Sequence, residues 1–401
     1  MNESTCIDVV DAPVKAPTRD TNWAGIASLT LGVFGLVTAE FLPASLLTAM
    51  AADLGVSDGA AGQAVTATAA VGAVAALAIP VLTRNIDRKL VILALTALLV
   101  ASNVLAATAS SLPVLIAARA LLGIGIGGFW SMAAALAMRL VPPHLFARAM
   151  SLILTGVSVA TVCAAPVGAY MGDLWGWRSA FVAAGVVSVV TLAAQCFTIP
   201  ALPPQDNPNV KVLFELLGRT NVRVALLAVL LVISGHFAGF TYIRPFMEQV
   251  THLSVGTISA ALLAYGVAGF FGNVAGAFLA ERSERLAVAA GAALIALLAA
   301  TLWMAGTSVP VTVAAIAAWG FAFAAFPIGF QTWIVRAAPD QAEGAGGLLV
   351  AAFQIAIASG AVGGGILVDR IGALGGPVFA TVALALGTLL VVRFGPRPAS
   401  N

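Results

Sequence analysis

Long apolar runs, broken at intervals by short clusters of charge, proline and glycine, make up almost the whole chain. A membrane-spanning helix needs about 20 consecutive apolar residues. That length divides the 401 residues into twelve segments, near 23–50, 60–83, 90–109, 113–139, 150–172 and 179–199, then 222–247, 257–280, 287–306, 310–336, 346–368 and 374–392. The pattern predicts an all-α membrane protein with twelve transmembrane helices. A transmembrane barrel needs segments of roughly ten residues with alternating polarity, and the chain has none.

Lysine and arginine set the orientation, because cytoplasmic loops hold an excess of them. With the N-terminus inside, the inner segments hold Lys15, Arg19, Arg84, Arg88, Lys89, Arg139, Arg148, Lys211, Arg219, Arg223, Arg282, Arg285, Arg336, Arg393 and Arg397, and the outer ones only Arg178 and Arg370. Both termini are therefore expected to be cytoplasmic. The most polar internal stretch, 200–221, contains Pro203, Pro204 and Pro208 and divides the spans six and six. Residues 1–22 read as a disordered cytoplasmic tail, 23–199 as one six-helix half, 200–221 as a cytoplasmic linker, 222–393 as a second half and 394–401 as a tail. Charged turns follow the second span (Pro80 to Lys89) and the eighth (Ala277 to Arg285), and Leu54-Gly-Val-Ser57 is echoed by Leu253-Ser-Val-Gly256. Such echoes suggest pseudo-symmetric halves, a frequent transporter construction.

Composition agrees. The chain is 61% hydrophobic and 9% charged, against roughly 25% charged in soluble domains, and forty glycines suit helices that pack closely in lipid. A net charge of +2 with no basic patch gives no reason to expect nucleic acid. Cys6, Cys163 and Cys196 have no metal-ligand spacing. The chain has no Gly-x-Ser-x-Gly elbow, paired acids within a span or Gly-x-x-x-x-Gly-Lys loop, so neither an enzyme nor an ATP-driven pump is expected. No cofactor or metal is expected either. The partners expected are a small-molecule substrate, protons and the lipid bilayer, with the protein a monomer.

The informative residues are charges inside apolar runs. A charge at membrane depth costs several kcal/mol, on the order of 3 by insertion scales, and is tolerated mainly where it faces a protein interior or a wet cavity. Glu40 interrupts the first run, unless Pro43 ends the helix and leaves Glu40 at its mouth. Arg119 lies six residues past Pro113, roughly 9 Å below the outer surface at about 1.5 Å per residue. Glu40, at roughly 15 Å by the same measure, is within pairing depth. The pair either couples to protons or only neutralises two buried charges. The seventh run adds His236 near mid-membrane, which can donate and accept a hydrogen bond or serve packing alone. Tyr242 and Arg244 follow, with Arg244 open to readings as a substrate contact, a gate or a surface pair with Glu248.

Twelve spans in two halves with a charged turn after span two resemble the major facilitator superfamily. Its turn, Gly-x-Leu-Ala-Asp-Arg-x-Gly-Arg-Lys, is matched in the first half by Leu82, Arg88 and Lys89, with Pro80, Arg84 and Asp87 as departures, and in the second by Leu279, Ala280, Glu281, Arg282 and Arg285. The resemblance implies a conformational lock at Arg84, Arg88, Lys89, Glu281, Arg282 and Arg285, although the cations can equally serve topology alone. Arg119-Ala-Leu-Leu-Gly-Ile-Gly-Ile-Gly-Gly128 resembles the arginine motif of the proton-coupled drug exporter branch, which implies proton coupling through Glu40 and Arg119. Pro166 and Gly168 match the antiporter motif of span five in part.

Longer strings, including Glu40-Phe-Leu-Pro43, Gly127-Gly-Phe-Trp130, Met138-Arg-Leu-Val-Pro-Pro143, Phe240-Thr-Tyr-Ile-Arg-Pro245 and Asp340-Gln-Ala-Glu343, are similar to those of bacterial exporters of purine ribonucleosides. That likeness implies proton-coupled efflux of nucleosides such as inosine and guanosine across the inner membrane. Exporters of sugars or drugs, and a non-transporting sensor or scaffold, are the alternatives. A nucleoside offers a flat face for stacking and edges for amides, so the expected substrate contacts are Phe129, Trp130, His236, Tyr242, Arg244, Phe326, Gln331 and Gln354.

Overall fold

The computed structural model describes residues 21–204 and 215–395. Most of the expected N-terminal tail, half of the linker and the last six residues lie outside the described residues, with Lys15, Arg19, Lys211 and Arg397 among them. The first half holds α1 (Trp23–Leu54), α2 (Asp58–Leu82), α3 (Arg88–Ala107), α4 (Leu112–Leu140), α5 (Phe146–Trp175) and α6 (Trp177–Thr198). The second holds α7 (Thr220–Thr241), α8 (Val255–Arg282), α9 (Glu284–Ala305), α10 (Val309–Ala337), α11 (Ala342–Ile371) and α12 (Gly375–Phe394). Among the described residues, twelve helices are long and apolar enough to cross a membrane, matching the predicted runs. Such runs become helices because lipid offers no partner for backbone N–H and C=O groups, which must bond within the segment.

Helix starts follow ordinary capping chemistry. Asn22, Ser57, Asp87, Ser254 and Ser283 each accept a backbone N–H of the first turn of the helix that follows. Two elements differ from expectation. Pro43 does not end α1, which runs through it to Leu54. The seventh run breaks in two: α7 stops at Thr241, and a short helix, Ile243–Gln249, continues after Tyr242. Pro245 supplies the cause, since its ring crowds the carbonyl of Thr241 four residues earlier and it has no N–H to give.

The same helix pairs pack in each half. In the first, α1 lies on α5 and α6, α2 on α4, and α3 on α4 and α6; in the second, α7 lies on α11 and α12, α8 on α10, and α9 on α10 and α12. Glycine makes the closest of these contacts possible. A Cβ on Gly127 of α4 would stand 2.2 Å from the Gly72 carbonyl oxygen of α2, and one on Gly320 of α10 would stand 2.0 Å from that of Tyr265 in α8. The halves meet along α2 and α11, along α5 and α8, and where α1 meets the short helix. Large apolar side chains such as Phe197, Met304 and Phe271 point outward, as suits a protein whose solvent is lipid.

Candidate transport site

Glu40 and Arg119 come together through the backbone. Pro43 has no N–H for the Ala39 carbonyl, its partner in an unbroken helix. Arg119 of α4 takes that vacancy, donating from Nη1 to the Ala39 oxygen at 2.7 Å. The guanidinium is 1% exposed, and its Nε and Nη2 are buried without a partner. Glu40, the next residue of α1, is half-buried and makes no hydrogen bond or ion pair among the described residues. The two charges stand within electrostatic reach of each other. No ion pair joins the two side chains in this conformation, and Arg119 Nε and Nη2 are left with donors that a carboxylate could accept.

Across the interface, Phe41 of α1 meets Phe240 of α7 edge-on at 5.6 Å. Phe240 lies nearly parallel to His236 at 5.5 Å, and Phe323 of α10 lies on His236 at 3.8 Å. His236 is fully buried, and its Nδ1 accepts the indole N–H of Trp319 at 2.9 Å. Tyr265 of α8, whose ring is 5.0 Å from that of Phe240, has its hydroxyl buried without a partner. The seventh span thus brings an aromatic cluster with free polar atoms against the helix that holds Glu40.

Four hydrogen bonds are described between the halves, all at the end where charged loops are scarce. The Gly59 N–H donates to Asp369, Gln249 to Asp58 at 2.8 Å, Arg244 to the Ser45 carbonyl, and the Tyr242 hydroxyl lies within 3.5 Å of the Gly59 carbonyl. Tyr242 also donates to the Ala361 carbonyl at 2.8 Å and is fully buried between α2 and α11. Its hydroxyl fits because positions 62 and 365 are glycine, where a Cβ would lie 2.1 and 2.5 Å from it. Arg244 pairs with Glu248 at 2.7 Å. Tyr242 and Arg244, expected on substrate, bond across the halves at one end of the molecule in this conformation. At the opposite, charge-rich end, a cavity of about 430 Å³ lies against α1 and α5, lined by Trp23, Arg148, Ser151, Leu152 and Thr155.

The other expected contacts divide. Phe129 is buried in its own half, close to Gly32 of α1, and Phe326 is buried against Gly291 of α9. The helix faces that hold them turn toward neighbours in the same half. Trp130 is half-buried, edge-on to Phe129, and Gln331 is exposed. Gln354 is buried where α11 meets α2, its Nε2 without a partner and 2.6 Å from where a Cβ on Gly72 would be.

The expected lock residues bind inside their own halves. Arg88 donates to Thr83, Lys89 to the Cys196 carbonyl, and Arg285 to the Val392 carbonyl, while Arg282 sits over the Phe278 ring. Arg84 and Glu281 are exposed, and their side chains make no hydrogen bond or ion pair among the described residues. Asp87, one of the motif departures, has a task of its own: besides capping α3 it accepts the Leu202 N–H at 2.9 Å and so holds the start of the linker. Glu284 with Arg336 ties the start of α9 to the end of α10, and Asp340 with Arg219 ties the turn after α10 to the residue before α7. The two 2.6 Å bonds from Arg219 hold the Asp340 carboxyl down at about 2.

The Ala39 carbonyl was not picked out from sequence, and Trp319 stood out only as one of several aromatics near mid-span. Counting four residues back from Pro43 identifies the carbonyl, whereas nothing in an apolar run distinguishes Trp319 from other aromatics.

The family model described as Major Facilitator Superfamily matches residues 29–361 and again 245–401. The chain is 40% identical over 371 residues, 92% of its own length and 93% of the relative's, to "Purine ribonucleoside efflux pump NepI" of Salmonella typhimurium. It is 41% identical over 372 residues to the protein of the same name from Shigella sonnei, with 92% and 93% covered. Among solved structures, a bacterial homologue of the human lysosomal transporter Spinster, described as inward-facing and occupied, superposes with a TM-score of 0.77 at 17% identity, covering 92% of this chain and 95% of that one. The human organic anion transporter MFSD10 gives 0.67 at 16% identity, over 94% and 100%.

Proposed function

The chain belongs to the Major Facilitator Superfamily, and from that premise we propose that it carries purine ribonucleosides such as inosine and guanosine out of a bacterial cell, across the inner membrane, in exchange for protons. The observation that carries the substrate assignment is the 40% identity, over 92% of the chain, to relatives named as purine ribonucleoside efflux pumps. The substrate passes unchanged, and no catalytic role is assigned to any residue.

With the charge-rich end cytoplasmic, as the lysine and arginine alternation implies, the hydrogen-bonded end faces outward and the conformation is inward-facing. The halves rock about a midplane site between α1 and α7. A nucleoside binds from the cytoplasm while Glu40 is ionised. Its release outside, after the contacts of Tyr242, Arg244 and Asp369 part, is followed by protonation of Glu40. Linkage makes this an exchange: if substrate disfavours the proton, the proton disfavours substrate by the same factor. Arg119, anchored on the Ala39 carbonyl, presents its two free N–H groups to the ionised carboxylate and loses that attraction when Glu40 is protonated. Two carbonyl bonds six residues apart, Arg119 on Ala39 and Arg244 on Ser45, make α1 the element that feels both the proton and the seal.

The test is labelled inosine uptake into inside-out vesicles with an acid interior. Accumulation that collapses with the pH gradient and is competed by guanosine is expected. Accumulation of cationic drugs or sugars without nucleosides would replace this reading with another exporter of the same superfamily.

A further inference from the structure

An indole N–H can only donate, so the imidazole nitrogen that receives it is an acceptor. His236 Nδ1 is that nitrogen, 2.9 Å from Trp319 Nε1. A neutral imidazole has one N–H, and here the bond to Trp319 leaves it on Nε2. That Nε2 is buried and without a partner in a side chain of 0% exposure. Buried donors are nearly always bonded, so an orphan one needs an account. The rings of Phe323 at 3.8 Å and 8°, and of Phe240 at 5.5 Å and 14°, lie along the imidazole and leave its edge as the reactive part.

We propose that His236 donates a hydrogen bond from Nε2–H to an in-plane acceptor of the purine ring, N7 or O6, and that Trp319 is the positioning residue that keeps His236 in the donating form. This rests on the nucleoside reading above. An aromatic setting of Phe240, Phe323, Tyr265 and Trp319 suits a flat heteroaromatic base better than a ribose. The sequence makes room for Trp319 at Gly239 of α7, where a Cβ would lie 2.5 Å from the indole Cη2. A cavity of only about 10 Å³, lined by Phe240, Ile243, Tyr265, Ile316 and Trp319, lies among the same rings, and with His236 at 0% exposure the donor is closed off in this conformation. Phe240 is also the ring that Phe41 of α1 touches across the interface. Rocking that parts α1 from α7 uncovers the His236 edge.

The experiment compares apparent KM for inosine, for 7-deazainosine, which lacks N7, and for nebularine, which lacks O6, in inside-out vesicles. A site that hydrogen-bonds its substrate rejects an analogue lacking the acceptor, so one of the two is expected to show a KM raised about tenfold or more in the wild type. Trp319→Phe keeps the ring and removes the N–H; it should raise the inosine KM and shrink that discrimination to about twofold. A merely structural role for Trp319 would affect all three substrates alike. A wild type that transports all three equally, or a Trp319→Phe variant that discriminates fully, overturns the proposal. If Trp319→Phe does not reach the membrane, His236→Leu is read in the same assay, and retained discrimination again overturns it. Failure of the wild type to accumulate inosine at all defeats the nucleoside reading itself, a separate result.

Discussion

At the scale of single residues, the decisive link runs from Pro43 through the Ala39 carbonyl to Arg119. A proline inside a helix costs about 3 kcal/mol relative to alanine, and here the vacancy it leaves holds a buried cation beside Glu40. Pro43→Ala separates the two effects. With its N–H restored, α1 should melt at the same or a higher temperature, while proton-driven flux falls about tenfold, equivalent to about 1.4 kcal/mol of lost coupling. Unaltered flux would show that Arg119 does not depend on the freed carbonyl. Asp340 allows a pH control. Its carboxyl is held at about 2 by Arg219, below its ordinary value of 3.8, so the pair's contribution is fully present above pH 4 and is lost only as pH falls through about 2. Asp340→Asn should therefore leave the shape of the flux profile between about pH 6 and 8 unchanged, and pH sensitivity there belongs to another group. Glu40 and Arg119 were legible in the sequence because each is a charge in an apolar run. Phe129 and Phe326 were not assignable to a face, since spans apolar all round have no polar side to show which residues turn inward.

Among the elements, α7 and the short helix after it form the hinge between site and seal. Their break at Tyr242 escaped the hydropathy pattern, which is blind to a proline between apolar residues, although Pro245 itself was in view. Tyr242 enters the α2 and α11 contact only because residues 62 and 365 are glycine. Gly62→Ala would place a methyl 2.1 Å from the Tyr242 hydroxyl oxygen, and overpacking of this sort costs about 1–3 kcal/mol. The seal should weaken. A cysteine at the buried Ser45 position should then react faster with a membrane-impermeant maleimide added at the charge-poor face than the same cysteine in a Gly62 background. An equal rate would remove Tyr242 from the seal. The twelve spans themselves were legible to within a few residues, because length and apolarity alone decide what crosses lipid.

For the whole molecule, pseudo-symmetry is visible in the repeated helix pairs and in the glycine contacts of α2 with α4 and α8 with α10. Sequence echoes at the charged turns foreshadowed it. They did not reveal which end is joined, since that depends on groups from α1, α2, α11 and the short helix meeting in space. Hydrogen bonds join the halves at one end, and at the other a cavity lies against α1 and α5 of the first half; the proposed rocking cycle parts the joined end. Expression and insertion should be unaffected by Glu40→Gln, which removes the ionisable proton from a half-buried side chain with no described bond to lose. The most direct measurement is therefore labelled inosine accumulation in acid-loaded inside-out vesicles, wild type against Glu40→Gln at matched protein content. Gradient-driven accumulation is expected in the wild type and none above background in the variant, and full accumulation by Glu40→Gln would remove that carboxyl from the coupling.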